Sequence, residues 1–239
     1  TFAATANSVV QCGAKVRFAE IASYDDLTLC PSSVEELITP ATKAVISMHY
    51  AGFLANMPAL ATLAERHNLF LIEDAAHLPG GSGFDSAVGE YSAMACYSFY
   101  SNKNISIGEG GMITTSNEAY ARQARLLRGH GITTSAFERA SNNAPFYTIT
   151  QPGFNYRMTD LAAALGRVQL SKYESDRLHR QHLFKHYCEE LEEIRDYVRV
   201  PFAAREDLSP AYHLMVVRLP EGRRQELSAY LKAQEIQTS

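Results

Sequence analysis

Residues 44–74 read AVISMHYAGFLANMPALATLAERHNLFLIED, and this stretch decides the fold. Ala44–Met48 is a short apolar run between turn signals, the pattern of a buried strand. Asn56 and Pro58 are a helix-opening pair, and Leu60, Leu63 and Ala64 then recur on one helical face. Leu69–Ile72 is a second buried run that ends on two acids, Glu73 and Asp74. Strand, helix and strand in that order form a unit whose two strands run parallel, with the helix packed over them.

The alternation continues outward in both directions. Downstream, Met94–Phe99 and Met112–Thr115 read as strands, and Asn117 caps a helix reaching about Leu127. Upstream, Lys15–Ala19 reads as a strand. Ser32 and Ser33, paired with Glu35 and Glu36, form overlapping capping boxes for a short helix that Pro40 closes. The expectation is an α/β fold, a mostly parallel sheet with helices on both faces. Thr159 caps a long helix carrying Leu161, Leu165 and Val168 on one stripe. The charged section Lys172–His182 is a bend or a solvated span, after which Leu183, Phe184, Tyr187 and Leu191 resume the apolar face. Tyr212–Leu219 reads as a strand and Gln225–Gln234 as a helix. This divides the chain into a large α/β unit, 1–172, and a linking helix with a smaller α+β unit, 173–239.

Composition narrows the function class. The chain has 239 residues, 46% hydrophobic and 20% charged, with a formal charge of −4; the isoelectric point is about 6.1. Nothing in that balance suits a nucleic-acid or anionic-membrane partner, and the apolar runs are too short to span a bilayer. Cys12, Cys30, Cys96 and Cys188 are scattered without a Cys-x-x-Cys spacing, which reads as reduced thiols of a cytoplasmic protein. Thr1 stands inside chain that already reads as structured, and no closing element follows the last helix, so a piece of a longer chain is expected.

In open α/β sheets, ligands sit outside the carboxyl ends of the strands. His49, Asp74 and His77 follow such ends, Ser98 and Lys103 flank the end of Met94–Phe99, and neighbouring strands would bring them to one rim. A carboxylate such as Asp74 at the end of a buried run needs a partner, either a helix end or arginine, or a cationic ligand group. Lys103, in Ser98-Phe99-Tyr100-Ser101-Asn102-Lys103-Asn104, is either a solvated loop lysine or an amine made nucleophilic by a lowered pKa. Gly108-Glu109-Gly110-Gly111 either admits a bulky cofactor close to backbone or turns a hairpin. His179, His182 and His186 share a helix face but lack a zinc-binding pattern, and read as solvated. Gly80-Gly81-Ser82-Gly83-Phe84 reads as a glycine-rich loop rather than a nucleophile elbow.

Taken in order, the motifs Leu71-Ile72-Glu73-Asp74-Ala75-Ala76-His77, Ser98–Asn104, Gly108-Glu109-Gly110-Gly111-Met112, Arg128-Gly129-His130-Gly131 and Gly153-Phe154-Asn155-Tyr156-Arg157-Met158-Thr159-Asp160 resemble the DegT/DnrJ/EryC1/StrS sugar aminotransferases. The likeness also takes in Thr1–Gly13, Lys43–Gly52 and the final helix. It implies the PLP-transferase fold type I, pyridoxal 5'-phosphate (PLP) as cofactor, and transfer of an amino group from an amino acid, glutamate first, to a nucleotide-linked keto sugar. It implies roles residue by residue. Lys103 would join the cofactor covalently, Asp74 would pair with its pyridine nitrogen, and His77 would lie beside the ring and its phenolic oxygen. Ser98 would hold the phosphate, Phe2 would stack on the ring, and Asn155 would reach the phosphate in a partner subunit, which implies a homodimer with shared sites. An upstream phosphate-binding turn and further C-terminal pocket residues are implied as well. A sugar dehydratase of the same family typically carries histidine in place of the lysine, so Lys103 favours the aminotransferase. A non-catalytic regulatory or scaffold relative is the alternative of another class. The Gly131–Gln151 stretch is where the choice of sugar is expected, with Tyr156 and Arg157 as further contacts to sugar or phosphate.

Overall fold

The computed structural model describes residues 2–83, 86–134, 146–205 and 209–238. In chain order the elements are α1 (Ala3–Gln11), α2 (Pro31–Leu37), β1 (Ala44–Met48), α3 (Met57–Arg66), β2 (Phe70–Asp74), β3 (Ser82–Gly83), β4 (Ser86–Ala87), β5 (Met94–Ser98), β6 (Gly111–Thr114), α4 (Glu118–Arg128), α5 (Asp160–Glu192) and α6 (Arg224–Ala233). The main sheet has the order β1-β2-β5-β6. β1 and β2 pair in parallel with Met48 opposite Asp74, and β2 pairs in parallel with β5 with Asp74 opposite Cys96. β6 returns antiparallel to β5. The glycine turn at 108–111 is therefore the close of a hairpin, with Phe99 N–H donating to Gly110 O and Gly108 at φ +85°.

The 44–74 unit forms as the periodicity predicts. Asn56 Oδ1 accepts from Ala59 N–H at 3.2 Å and caps α3, with Pro58 in its first turn. Leu60, Leu63 and Ala64 face inward and pack with Val45, Leu71 and Leu78 in one core. Asn117 likewise caps α4 and Thr159 caps α5.

Three local expectations are corrected, and one open alternative is resolved. Lys15–Ala19 joins no strand ladder. Its neighbourhood is tied to α2 instead, through Arg17 to Leu37 O and Glu20 N–H to Ser33 Oγ, while Ala19 packs on the core. The α2 cap is Cys30, with no side-chain cap bond, because Pro31 starts the helix and Ser33 Oγ is already taken by Glu20. Of the two readings of Lys172–His182 the bend falls away and the solvated one stands: α5 runs unbroken through it for 33 residues, with most of these side chains exposed. Tyr212–Leu219 makes only one bridge, at Arg218. Tyr212 sits at φ +47°, which breaks a strand, and the N–H groups of Ala211, His213 and Leu214 donate to Gly52 O and Ala51 O rather than to a ladder.

A second core holds the long helix to the sheet unit. Phe53 stacks on Phe202 with ring centroids 4.2 Å apart, meets Tyr212 edge-on at 5.7 Å, and packs against Phe184 of α5 at 5.5 Å.

Candidate active site

Because β1, β2 and β5 are parallel and in register, their carboxyl ends bring His49, Asp74 to His77, and Ser98 to one edge. Asp74 is the last residue of β2. Its Oδ2 accepts from the Thr5 hydroxyl of α1 at 2.6 Å, and its Oδ1 from Ala76 N–H at 3.1 Å. A carboxylate has about four acceptor positions, so capacity remains for a further donor.

His49, also at that edge, is spent internally. Its ring is fully buried, with Nδ1 accepting from Ala55 N–H at 3.2 Å and Nε2 2.8 Å from Glu73 Oε2. Gly89 N–H completes the set on Glu73 Oε1 at 2.9 Å. Asp74 and Glu73 are adjacent in sequence, but strand alternation separates their tasks: one serves the rim, the other the interior.

His77 is buried, and its Nδ1 has no hydrogen-bond partner among the described residues. Its ring lies 4.2 Å from that of His213, tilted by 37°, and 6.2 Å from Tyr50. Gly52 makes this meeting possible. It has φ +92°, and a Cβ there would lie 2.9 Å from His77 O and 3.0 Å from His213 N. Only a residue without a side chain lets these three backbones close up.

Lys103 is half-buried in a turn, its N–H donating to Tyr100 O at 2.9 Å, and the buried Ile105 and Ile107 anchor the loop beyond it. Burial holds the Lys103 amine below its ordinary value, against the opposing pull of Asp74. Burial, then the fields of His213 and Lys103, push His77 down to about 3. Burial, then Lys103 and Arg180, push His213 down to about 4. Cys96, beside Asp74 in the sheet register, is raised by burial and by the Asp74 charge. The site thus holds one carboxylate, one amine biased toward its free form, and two neutral imidazoles. It can grip a cationic heterocycle at one end and accept a proton at the other.

Asp74, His77 and Lys103 come together, and Ser98 ends the neighbouring strand, its Oγ accepting from Tyr100 N–H at 3.3 Å. Phe2 caps α1, one turn before Thr5, and is 77% exposed, with no stacking partner among the described residues. Asn155 makes no hydrogen bond to this group; it bridges Gly129 and lines a shallow surface cavity with Arg157, Met158, Thr159 and Asp160. Residues 135–145 of the expected specificity stretch, and Phe84 of the glycine loop, lie outside the described residues. His179, His182 and His186 are exposed, and no group able to hold a metal occurs among the described residues. Thr5, Asn104 and His213 were not singled out from sequence. Asn104 adjoins the lysine and was within reach, but nothing local links Thr5 to Asp74 or His213 to His77.

A profile of the DegT/DnrJ/EryC1/StrS aminotransferase family matches residues 1–239. The spore coat polysaccharide biosynthesis protein SpsC of Bacillus subtilis is 35% identical over 222 residues, 92% of this chain and 56% of SpsC. DesV of S. venezuelae, solved in complex with a ketimine intermediate, superposes with a TM-score of 0.87 at 33% identity, over 99% of this chain and 60% of DesV. Spr1654 from Streptococcus pneumoniae in its PLP-form superposes with a TM-score of 0.85 at 22% identity, over 99% of this chain and 64% of that one, a likeness of fold. These structures share the α/β PLP-transferase fold expected from the sequence. The chain spans little more than half the length of SpsC and under two thirds of both solved chains.

Proposed function

The chain belongs to the DegT/DnrJ/EryC1/StrS aminotransferase family, and from that premise we propose that the whole protein is a PLP-dependent aminotransferase that moves an amino group from an amino acid, glutamate first, to a nucleotide-linked keto sugar. The observation that carries this reading is the meeting of Asp74, His77 and Lys103 at the carboxyl edge of the sheet, with an amine that burial biases toward its neutral form.

The residues present fit the cofactor. His77 Nδ1 is a buried polar atom with no partner among the described residues, and Asp74 has acceptor capacity left. When bound, PLP supplies an electron sink for the electrons released at the donor's Cα. The negative Asp74 keeps a facing ring nitrogen protonated. Lys103 Nζ would be the group that holds the cofactor, and as a free amine it would be the base that takes up the donor's Cα proton. His77, held neutral, would lie beside the ring, the Ser98 hydroxyl would hold the phosphate, and Phe2 would cover the ring face. Asn155, which makes no hydrogen bond to Asp74, His77 or Lys103, would serve the phosphate of a partner subunit in a homodimer. Residues 1–172 are read as the cofactor-holding unit and 173–239 as the linking helix and smaller unit. The four cysteines are free, which supports a cytoplasmic setting.

Borohydride reduction of the PLP-loaded full-length protein, followed by peptide mass analysis, tests this. A pyridoxyl adduct on Lys103 is expected, and its absence overturns the reading. Product analysis with a nucleotide-linked keto sugar and glutamate should give an amino sugar, whereas a deoxy keto sugar would assign a dehydratase.

A further inference from the structure

Asn104 follows the lysine, and its side chain is a fork with two chemically different ends. Nδ2 donates to Ala211 O at 2.7 Å, and Oδ1 lies 2.9 Å from His213 Nδ1. The reverse orientation would set two oxygens face to face at Ala211, so the carbonyl fixes which end points where. Oδ1 can only accept, hence His213 Nδ1 carries the hydrogen. A neutral imidazole has one N–H, which leaves a lone pair on Nε2, and Nε2 makes no hydrogen bond among the described residues. The ring is held in place by His77 at 4.2 Å and by backbone closed against Gly52. The groups whose fields act on it are Lys103, from the loop of Asn104, and Arg180 from α5. Without Asn104, nothing described would hold the proton on Nδ1.

We propose that Asn104 is a positioning residue: it locks His213 in the Nδ1–H form, so that Nε2 is a hydrogen-bond acceptor for an O–H or N–H donor of the substrate. The proposal rests on the aminotransferase reading for what that donor is, a sugar hydroxyl or the ammonium of the amino acid. A fixed neutral acceptor discriminates in favour of donor groups. Losing the Asn104 carbonyl inverts the polarity of that nitrogen, because the proton moves to Nε2.

The tautomer is read directly on the full-length holoenzyme, labelled with 15N-histidine, by two-bond proton–nitrogen correlation near neutral pH. The His213 signal is assigned by its loss in His213→Gln. The expected result is Nδ1–H; an Nε2–H pattern overturns the proposal. In Asn104→Leu the signal should convert to Nε2–H, and KM for one substrate should rise about tenfold with kcat changed much less. A rise confined to the keto sugar assigns the donor as a hydroxyl, and one confined to the amino acid assigns it as the ammonium. Conversion with both KM values unchanged overturns the recognition role. The NMR measurement needs no turnover, so a failure of the amination reading and a failure of this assignment are separate results.

Discussion

Asp74 carries its charge at a strand end with two hydrogen bonds from the protein, from the Thr5 hydroxyl and Ala76 N–H. Asp74→Asn preserves shape and removes charge, and should lower kcat by about 10²-fold or more, since a neutral amide no longer keeps a facing ring nitrogen protonated. Thr5→Val, which removes one orienting donor, should cost only a few-fold; steady-state kinetics on both variants separate charge from orientation. The imidazole pair predicts an acid effect. His77 and His213 titrate near 3 and 4 when folded, against about 6.5 in the unfolded chain. The unfolded state therefore binds more protons below about pH 6.5, so stability falls as pH drops from there toward 4 and is fully present above it. Urea midpoints measured between about pH 7.5 and 5 should decline, and His77→Gln with His213→Gln should flatten the slope.

Among the elements, β1 and β2 are joined by more than their ladder. The buried His49–Glu73 pair ties both strands to Gly89, with its hydrogen-bonding groups paired. Glu73→Leu leaves the ring's N–H unpaired in the interior and should cost about 3–5 kcal/mol, read by denaturant unfolding. The turn after β1 depends on Gly52, where an added Cβ would meet the backbones of His77, Tyr212 and His213 at 2.9–3.0 Å in a left-handed conformation. Gly52→Ala should cost about 1–3 kcal/mol from backbone strain alone and should also part the two imidazoles. Elements made by local periodicity and capping, from β1 to β2 and at α4, α5 and α6, were legible in the chain. The Lys15–Ala19 and Tyr212–Leu219 runs were not: both have the hydrophobicity of a strand, but the first finds no ladder partner among the described residues, and in the second the N–H groups of His213 and Leu214 are claimed by Ala51 O.

At the scale of the whole molecule, α5 presents a stripe without cover: Leu161 is 86% exposed, Val168 51% and Leu165 47%. An apolar row of this kind marks an association surface, and in the proposed homodimer it would be covered by the other subunit. If the full-length protein is the proposed homodimer, Leu161→Asp with Leu165→Asp should convert it to monomer in analytical ultracentrifugation while leaving the circular dichroism of the helices in place. A dimer that survives both changes would put the interface elsewhere. Lys103, Asp74, His77 and Ser98 were readable as candidates because each follows a strand that periodicity reveals, and register alone brings them to one edge. Local order in the residues thus specified the strands, the caps and which polar groups end the strands, since these depend on neighbours a few positions apart. Folding in three dimensions chose the companions: Thr5 on Asp74, His213 on His77, and the Asn104 fork between them. Those contacts join parts of the chain up to 136 positions apart, through positive-φ turns at Gly52 and Tyr212, and a hydrogen bond across such a separation leaves no periodic trace in either segment.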